Sequence, residues 1–156
     1  MIIFFICVIL SPKSALFAHC HFMSERMRHI AIERARLLLR QKRYKDAETQ
    51  AGIALQQNPD DAEALQIIGH CRLDTKKYDE AIEIFRKCLG LQPTDDYVQY
   101  LLAFCYYQKN EHEISKRHLD NAIAMFPYHA GYFALLSNIY CSQRKYADAL
   151  YAANQG

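Results

Sequence analysis

The sequence predicts an all-α protein, a solenoid of stacked antiparallel helical hairpins. The first observation is a repeat: Pro59, Pro93 and Pro127 lie at equal intervals, 93 − 59 = 34 and 127 − 93 = 34, and they are three of the four prolines in the chain. The second observation is that other residue types recur in the same register. The third is that apolar residues within each period recur at three- and four-residue spacing, as on one face of a helix. Self-similarity at such a period is typical of helical repeat proteins.

Length and composition agree with this fold class. The 156 residues leave room for one domain or a few small repeats. Hydrophobic residues make up 51% of the chain and charged residues 23%, which is a globular composition. With 5 glycines and 4 prolines, many short strands are not expected. The formal charge of +2 is nearly neutral, so the composition predicts no nucleic-acid partner.

The second period shows the two helices of a hairpin. Apolar residues place one stripe on a helix over residues 62–74 and another on a helix over residues 78–90; they are Leu65, Ile68 and Leu73, then Ala81, Ile82, Phe85, Cys88 and Leu89. A short polar break separates the helices. Pro93 cannot continue the second helix, and Asp95 and Asp96 offer oxygens that can cap the next one.

Small residues recur where the helices of a hairpin must approach each other. The first helices hold Ala35, Gly69 and Ala103, and the second helices hold Ala47, Ala81 and Ala149. A tyrosine precedes several of the second helices, where its ring can pack while its hydroxyl stays hydrated. A single hairpin cannot bury both of its faces, so stacking on the next hairpin completes the core.

This pattern resembles the tetratricopeptide repeat, a 34-residue helical hairpin with a closing proline. The second period carries the resemblance best, through Leu65, Ile68, Gly69, Tyr78, Ala81, Phe85 and Pro93. The third period departs from it, because Gln99 stands where a large apolar residue is usual and Ser115 replaces an alanine. The resemblance implies a right-handed α-solenoid over residues 23–156, with units at about 28–61, 62–95, 96–129 and 130–156, the last one truncated.

The sequence stops at Gly156, inside the second helix of the fourth predicted hairpin. Arrays of this kind usually end with a helix whose outer face is polar. We therefore expect further repeats or a partner chain to cover the C-terminal end, and whether the chain continues is open.

Residues 1–22 are predicted to lie outside the array. Their apolar run, residues 1–10, is shorter than the roughly 20 residues that a membrane-spanning helix needs. It has the length of a signal-peptide core, but no Lys or Arg precedes it. Three interpretations are open: an extension upstream of a true start at Met23, an export signal or membrane anchor, or an ordered N-terminal element. The first favours a cytoplasmic protein, and the second an exported or membrane-associated one.

No motif predicts catalysis, a cofactor or a metal site. The six cysteines form no CxxC pair and no zinc-finger spacing with histidine. The chain has no glycine-rich phosphate loop, no HExxH and no GxSxG. The sequence therefore predicts that this chain is not an enzyme.

The resemblance implies that the first helix of each hairpin lines a concave groove. The candidate partner-binding residues on that face are Arg36, Arg40, Gln66, His70, Tyr97, Tyr100, Phe104, Tyr107 and Asn138. The four aromatic residues from Tyr97 to Tyr107 step by 3, 4 and 3 positions, so they form one stripe on one helix face. Such a stripe is either core or interface, and we expect two of the four residues to be exposed.

Arg36 and Arg40 lie one turn apart in a basic segment. They are either a solvated face or a patch for an acidic peptide, a phosphate or a terminal carboxylate. Tetratricopeptide co-chaperones grip the acidic tail of heat-shock proteins with a set of Lys, Asn and Arg side chains. The corresponding places here are Ile32, Arg36, Ile67, Tyr97 and Leu101. Because only one of these is basic, a heat-shock-tail clamp is not expected.

These observations predict a protein-interaction module or adaptor that binds a partner protein or peptide in the groove. The alternative is a structural or assembly segment of a larger multidomain or membrane-associated repeat protein.

Overall fold

A computed structural model describes the backbone of residues 12–155 and the side chains of residues 22–155. Regular structure within this part is helical throughout and includes no strand. The helices are α1 (Pro12–Arg40), α2 (Tyr44–Gln57), α3 (Ala62–Asp74), α4 (Tyr78–Leu91), α5 (Asp96–Gln108), α6 (His112–Met125), α7 (Ala130–Ser142) and α8 (Tyr146–Ala153). The all-α fold of helical hairpins predicted from the sequence is confirmed.

The chain divides into two compact units, one ending at Ala64 and the other beginning at Leu65. In the first unit, α1 and α2 form a hairpin with a core of small residues. Ile32 and Ala35 are buried on α1, and Ala47 and Ala51 are buried on α2. Alanines allow the two backbones to lie close, as the sequence pattern predicted.

Asp61 joins the start of α3 to α1 within the first unit. Its side chain is only 2% exposed. Its Oδ1 accepts a hydrogen bond from the backbone N–H of Ala64 at 3.0 Å and so caps the helix. Its Oδ2 accepts from Nη1 of Arg28 at 2.7 Å, and this contact raises the pKa of Arg28. One carboxylate therefore satisfies a helix end and holds a cation from another helix.

The turns inside the hairpins share one backbone geometry. Their left-handed residues lie at the 34-residue period and have φ values of 59°, 62°, 63° and 60°; they are Lys42, Lys76, Asn110 and Arg144. In the first turn, the N–H of Lys42 donates to the carbonyl of Leu39 at 2.9 Å. The N–H of Arg43 donates to the carbonyl of Leu38, also at 2.9 Å. The other turns repeat this pair of bonds, which terminates a helix by satisfying its last carbonyls.

The links between hairpins also repeat. Asn58, Gln92 and Phe126, each directly before a proline, have extended φ values of −139°, −134° and −139°. A residue before proline avoids the helical region, so the second helix of each hairpin ends there. Asp95 then caps α5, as predicted, because its Oδ1 accepts from the N–H of Val98 at 3.0 Å.

The second unit contains α3 from Leu65 onward with α4, and the hairpins α5–α6 and α7–α8. Large side chains that are almost fully buried form its interior; they are Phe85, Leu102, Leu119, Tyr132 and Ile139. Around Tyr132 and Leu119, the partly buried Tyr100, Phe104 and Tyr107 pack against the core. This packing fixes one side of the α5 aromatic stripe.

The point where the two helices of each hairpin approach most closely explains why Ser115 can replace the usual alanine. The pairs at this point are Ala35 with Ala47, Gly69 with Ala81, Ala103 with Ser115, and Ser137 with Ala149. Ser115 is fully buried, and its Oγ donates to the carbonyl of Ala103 at 2.6 Å. In the next hairpin the serine lies on the first helix instead, and Oγ of Ser137 donates to the carbonyl of Ala149 at 2.9 Å. Serine fits where alanine is usual because its hydroxyl finds a backbone acceptor.

The second departure, Gln99, is satisfied by a buried polar network. Gln99 is 8% exposed, and its Oε1 is hydrogen-bonded to Nδ1 of His118 at 2.8 Å. The His118 ring stacks on Tyr106 with centroids 5.5 Å apart, and Nη2 of Arg86 donates to the Tyr106 hydroxyl at 2.6 Å. Burial lowers the pKa of His118, and the nearby cations Arg86 and Arg117 lower it further.

Helix α1 begins at Pro12, on the N-terminal side of residue 23, where the sequence predicted the array to start. Residues 1–11 lie outside the described residues, so the three interpretations of residues 1–22 stay predictions. Among the described helices, none combines the length and the apolar character that crossing a membrane requires.

Helix α8 has a buried face and an exposed apolar one. Ala149 and Ala152 are buried, whereas Tyr146, Leu150 and Tyr151 are exposed. The expectation that further repeats or a partner chain cover this end stays a prediction.

Candidate functional site

Aromatic rings from α3, α5 and α7, the first helices of three successive hairpins, form a continuous row in the second unit. The ring of His70 on α3 stacks on Tyr97 of α5 at 5.8 Å between centroids, and Tyr97 stacks on Tyr100 at 6.1 Å. Tyr100 contacts Tyr132 of α7 at 5.2 Å. Tyr132 in turn stacks on His129 at 4.3 Å. We call these five residues the aromatic ladder.

Helix geometry places the ladder residues in reach of each other. Tyr97 and Tyr100 are three residues apart, so they lie on the same face of α5. His129 is the N-cap residue of α7, and its ring folds over Tyr132 three positions later. His70 is further held by the ring of Phe85, which it meets edge-on at 5.9 Å.

The ladder residues differ in how much of each reaches solvent. Tyr97 is 41% exposed, His129 is also exposed, and His70 and Tyr100 are half-buried. Tyr132 is buried, and its hydroxyl donates to Oδ2 of Asp96 at 2.5 Å. Burial and this contact with Asp96 raise the pKa of Tyr132. Tyr132 therefore supports the ladder from below, while Tyr97 presents its surface.

The aromatic stripe predicted on α5 is partly core. Tyr97 alone of its four residues is exposed, whereas two were expected to be. Tyr100, Phe104 and Tyr107 are half-buried and pack against the interior cluster that includes Tyr132. The sequence could not separate these residues because all four share one helix face, and only the position of α7 decides which of them it covers.

The charges along these first helices are acidic. Helices α5 and α7 contain no Lys or Arg, and Asp96 is their one charged residue. On α3, Arg72 is engaged by Glu80 at 2.9 Å. Burial lowers the pKa of His70, and the charge of Asp74 opposes this effect. A neutral histidine, tyrosine rings and carboxylates thus make up the polar character of the ladder.

Gln66 and Asn138 are the remaining predicted residues of the second unit. Nε2 of Gln66 donates to Oδ2 of Asp95 at 2.8 Å, so this amide helps to anchor the α5 cap. Asn138 is exposed on α7 and is not one of the ladder residues.

Arg36 and Arg40 belong to the first unit. Both are exposed. Nη1 of Arg36 lies 2.8 Å from Oε1 of Glu33, and its Nη2 lies 3.2 Å from Oε1 of Glu63. Arg36 is therefore already paired with carboxylates, while Arg40 closes α1 without an ion pair among the described residues.

Sequence reasoning missed His129 and Tyr132, and it considered Asp96 only as a possible helix cap. A signal for the first was available in the register: His129 stands one period after Asp95 and two after Asp61, at the position that caps the other first helices. A ring at a capping position departs from the pattern and lies at the helix end that faces the ladder. Tyr132 gave no such signal, because a buried tyrosine on a helix is ordinary core.

The structure bears on two kinds of chemistry, metal binding and cysteine reactivity. The described residues contain no group of three or more His, Cys, Asp or Glu side chains placed to hold a metal ion. Burial raises the pKa of Cys88 to about 11 and that of Cys105 to about 12, so these thiols are poor nucleophiles at neutral pH.

A family model described as anaphase-promoting complex, cyclosome, subunit 3 matches residues 40–122. No curated protein sequence matches the chain.

Several solved structures of MamA share the fold. One, a crystal structure of MamA, is 15% identical and aligns over 82% of this chain and 75% of that one, with a TM-score of 0.74. MamA 41-end from Desulfovibrio magneticus RS-1 is 19% identical over 82% of this chain and 72% of that one, with a TM-score of 0.75. A structure described as MamA MSR-1 C2 is 13% identical over 92% and 86%, with a TM-score of 0.68. The predicted tetratricopeptide-like fold is confirmed.

Proposed function

The chain belongs to the family of anaphase-promoting complex, cyclosome, subunit 3, and from this premise we propose that it is a protein-interaction module whose aromatic ladder binds a segment of a partner protein. A scaffold that presents a surface to other proteins is the general role of such helical repeats. The finer proposal concerns where the partner binds and what chemistry it carries.

The observation that carries the proposal is the continuity of the ladder with an exposed tyrosine on it. Tyr97 has 41% of its surface accessible although its ring contacts the rings of His70 and Tyr100. Tyrosine offers a large contact area at a small entropic cost, because its side chain has few rotatable bonds. Its neighbours His70 and Tyr100 hold the ring in place. Binding therefore costs little side-chain conformational entropy at Tyr97.

The charges favour a ligand with cationic or neutral side chains. None of the five ladder residues is a Lys or an Arg, and two acidic residues, Asp74 and Asp96, lie on its helices. Tyrosine faces attract Arg and Lys side chains by cation–π interaction, at about 0.5–1 kcal/mol for exposed pairs. An acidic tail would be repelled by the carboxylates of Asp74 and Asp96, which lie on the ladder helices.

Arg36 and Arg40 enter the proposal as a separate contact of the first unit. Arg36 already pairs with Glu33 and Glu63, so it has little to offer an anion. Arg40 is the better candidate, and Arg40→Ala tests it independently of the ladder.

The test uses random peptides selected on the full chain by surface display, followed by affinity measurement on the selected peptide. Tyr97→Ala is the informative variant, because Tyr100 and Phe104 pack against the core and their removal would disturb the fold. Tyr146→Ala is the matched control, since Tyr146 is also an exposed tyrosine at 67% but lies on α8, away from the ladder.

We expect Tyr97→Ala to raise the Kd by roughly tenfold or more, as for an interface hot spot, and Tyr146→Ala to leave it unchanged. Selected sequences should contain Arg or Lys more often than Asp or Glu. Equal Kd values of wild type and Tyr97→Ala for every basic peptide selected would show that the ladder is not the binding site.

A second candidate is a role as an assembly subunit, which the family description favours. The exposed Leu150 and Tyr151 on α8, at 65% and 68%, supply apolar surface for an assembly contact. Light scattering during size-exclusion chromatography of the full chain tests self-assembly through this face. An oligomer that Leu150→Glu converts to a monomer supports it, and a monomer at every concentration argues against it.

A further inference from the structure

The outer face of α1 carries an apolar stripe that the first unit does not use. Met23, Met27, Ile30 and Leu37 are 45%, 54%, 41% and 55% exposed. They step by 4, 3 and 7 residues, so they lie on one line along the helix. The opposite side of the same helix packs the hairpin through Ala31, Ile32 and Ala35, which are buried. The stripe is therefore an additional surface and not part of the core.

The spacing of the stripe is that of a helix–helix seam. Met23, Ile30 and Leu37 are seven residues apart, and Met27 lies at the intermediate position of the first heptad. Two apolar positions per heptad make the narrow seam along which one helix packs against another. A helix that packs on the core of a globular protein shows a wider apolar face, of at least about 100°.

The charges beside the stripe are mostly positive, and the one carboxylate among them in the described part of the helix, Glu33, is paired with Arg36. Arg34 occupies the intermediate position of the second heptad, between Ile30 and Leu37, and Arg26 and Arg40 lie along the same side. None of these three arginines has an ion pair among the described residues. Other arginines of the helix are engaged: Arg28 pairs with Asp61 and Arg36 with Glu33.

We propose that this face of α1 binds an amphipathic helix of a partner protein, one whose apolar seam is flanked by Asp or Glu side chains. The partner's apolar residues cover the stripe, and its carboxylates pair with Arg26, Arg34 and Arg40. Arginine suits this role because its guanidinium group forms bidentate hydrogen bonds with a carboxylate and tolerates partial burial. The proposal concerns a surface of the first unit and is independent of the aromatic ladder.

A second copy of the chain fits this face poorly. An antiparallel pairing centred on Ile30 would set Met23 against Leu37 but Arg26 against Arg34. A parallel pairing would set Arg34 against Arg34 at the seam. Like charges directly opposed at a seam disfavour the pair, whereas an acidic partner converts the same positions into attraction.

The experiment measures binding of two synthetic helical peptides to the full chain by fluorescence anisotropy. Both peptides carry leucine at the two seam positions of each heptad; one has Glu and the other Lys at the flanking positions. We expect the Glu peptide to bind at least roughly tenfold more tightly than the Lys peptide, with an affinity that falls as salt is added. Because the ladder is proposed to bind cationic segments, the comparison is repeated on Tyr97→Ala, and equal binding of the two peptides to that variant overturns the proposal.

Three variants, one of them a control, locate the site. Ile30→Asp places a charge in the stripe and should weaken binding of the Glu peptide by roughly tenfold or more. Met125→Asp, at a residue that is 43% exposed on α6, is the matched control and should leave binding unchanged. Arg34→Glu should weaken the Glu peptide and strengthen the Lys peptide, an inversion that a loss of folding cannot produce.

Other occupants give distinct results. The chain could instead sediment with phosphatidylserine vesicles, lose this in Ile30→Asp and fail to bind the Glu peptide. That result would assign the face to a membrane surface and overturn the proposal. A dimer in light scattering that Ile30→Asp dissociates would assign it to a second copy and likewise overturn it. Tyr97→Ala should leave Glu-peptide binding intact, so failure here and failure of the ladder proposal are told apart.

Discussion

The ring of Phe85 occupies the space beside Gly69 that a side chain at position 69 would need. A Cβ built on Gly69 would lie 2.8 Å from Cζ of Phe85, closer than real Cβ contacts. Phe85 is fully buried, so its ring has no room to withdraw. We expect Gly69→Ala to lower the free energy of unfolding by about 1–3 kcal/mol through overpacking. Urea denaturation followed by circular dichroism measures this change.

Gly90 is the matched control for this substitution. It also lies in a helix of the same hairpin, but a Cβ there would meet nothing within 4 Å. Because alanine is the better helix former, Gly90→Ala should raise stability by about 0.5–1 kcal/mol. Equal effects of the two changes would mean that the close approach at Gly69 is unimportant.

The left-handed turn residues offer a second prediction. Lys76 has a φ of 62°, which costs about 1–2 kcal/mol for a residue with a Cβ, whereas glycine adopts it freely. Lys76→Gly should therefore stabilise the chain by about 0.5–1 kcal/mol, after allowance for the flexibility that glycine adds to the unfolded state. Lys87 lies inside α4, where glycine costs about 0.5–1 kcal/mol relative to alanine, so Lys87→Gly should destabilise. Thermal melts of the two variants should shift in opposite directions.

The carboxylate of Asp61 supports a third prediction. It caps α3 and also pairs with Arg28, with only 2% of the side chain exposed. Asp61→Ala should cost about 2 kcal/mol or more, since it removes a cap and leaves Arg28 without its buried partner. Asp95, one period later, has the same capping role but bonds a neutral amide, so Asp95→Ala should cost about 1 kcal/mol. A larger loss at Asp95 than at Asp61 in chemical denaturation would contradict the role given to the ion pair.

Ser115 supports a fourth prediction, about size at the helix contact point. Its fully buried side chain fits because it is small and because its hydroxyl bonds the carbonyl of Ala103. Ser115→Ala should change stability by no more than about 1 kcal/mol, since the cost of the lost hydrogen bond is modest. Ser115→Val should cost more, about 1–3 kcal/mol, because the added methyl groups overpack the contact. If valine is tolerated as well as alanine, close approach of α5 and α6 is not required.

The fifth prediction is a pH dependence from His118. Burial holds its pKa below the ordinary 6.5 in the folded chain, so between the folded value and 6.5 the unfolded chain binds more protons. The stability that neutral His118 contributes is therefore complete above pH 6.5 and falls as the pH drops from there toward the folded pKa. His118→Phe keeps the stacking on Tyr106 but removes the titration. Its melting temperature should fall less between pH 7 and pH 5 than that of the wild type, and parallel pH profiles would refute the assignment.

The repeat architecture could be predicted from the sequence because its determinants are local. A proline forces the residue before it out of the helical region, a left-handed residue closes each hairpin, and small residues admit the close approach of paired helices. The prolines at 59, 93 and 127 and the small residues at Gly69 and Ala81 report these constraints directly. Each constraint acts within one 34-residue hairpin, so the residues that impose it all lie within one period of the sequence.

The candidate site could be predicted only in part. Tyr97 and His70 were on the predicted face, and they lie on the ladder. Tyr132 and His129 join them from a helix more than thirty residues away, and this depends on how α7 lies against α5. The same packing buries parts of Tyr100, Phe104 and Tyr107.

The sequence by itself thus determined the helices, their turns and the positions at which they approach, since steric limits on the backbone act over a few residues. Tertiary structure decided which members of one aromatic stripe are core and which are surface. Exposure depends on the area that neighbouring helices cover, and periodicity along a single helix carries no record of those neighbours. It likewise decided that Arg36 is paired while Arg34 and Arg40 stay available, because Glu63 reaches Arg36 from the following hairpin.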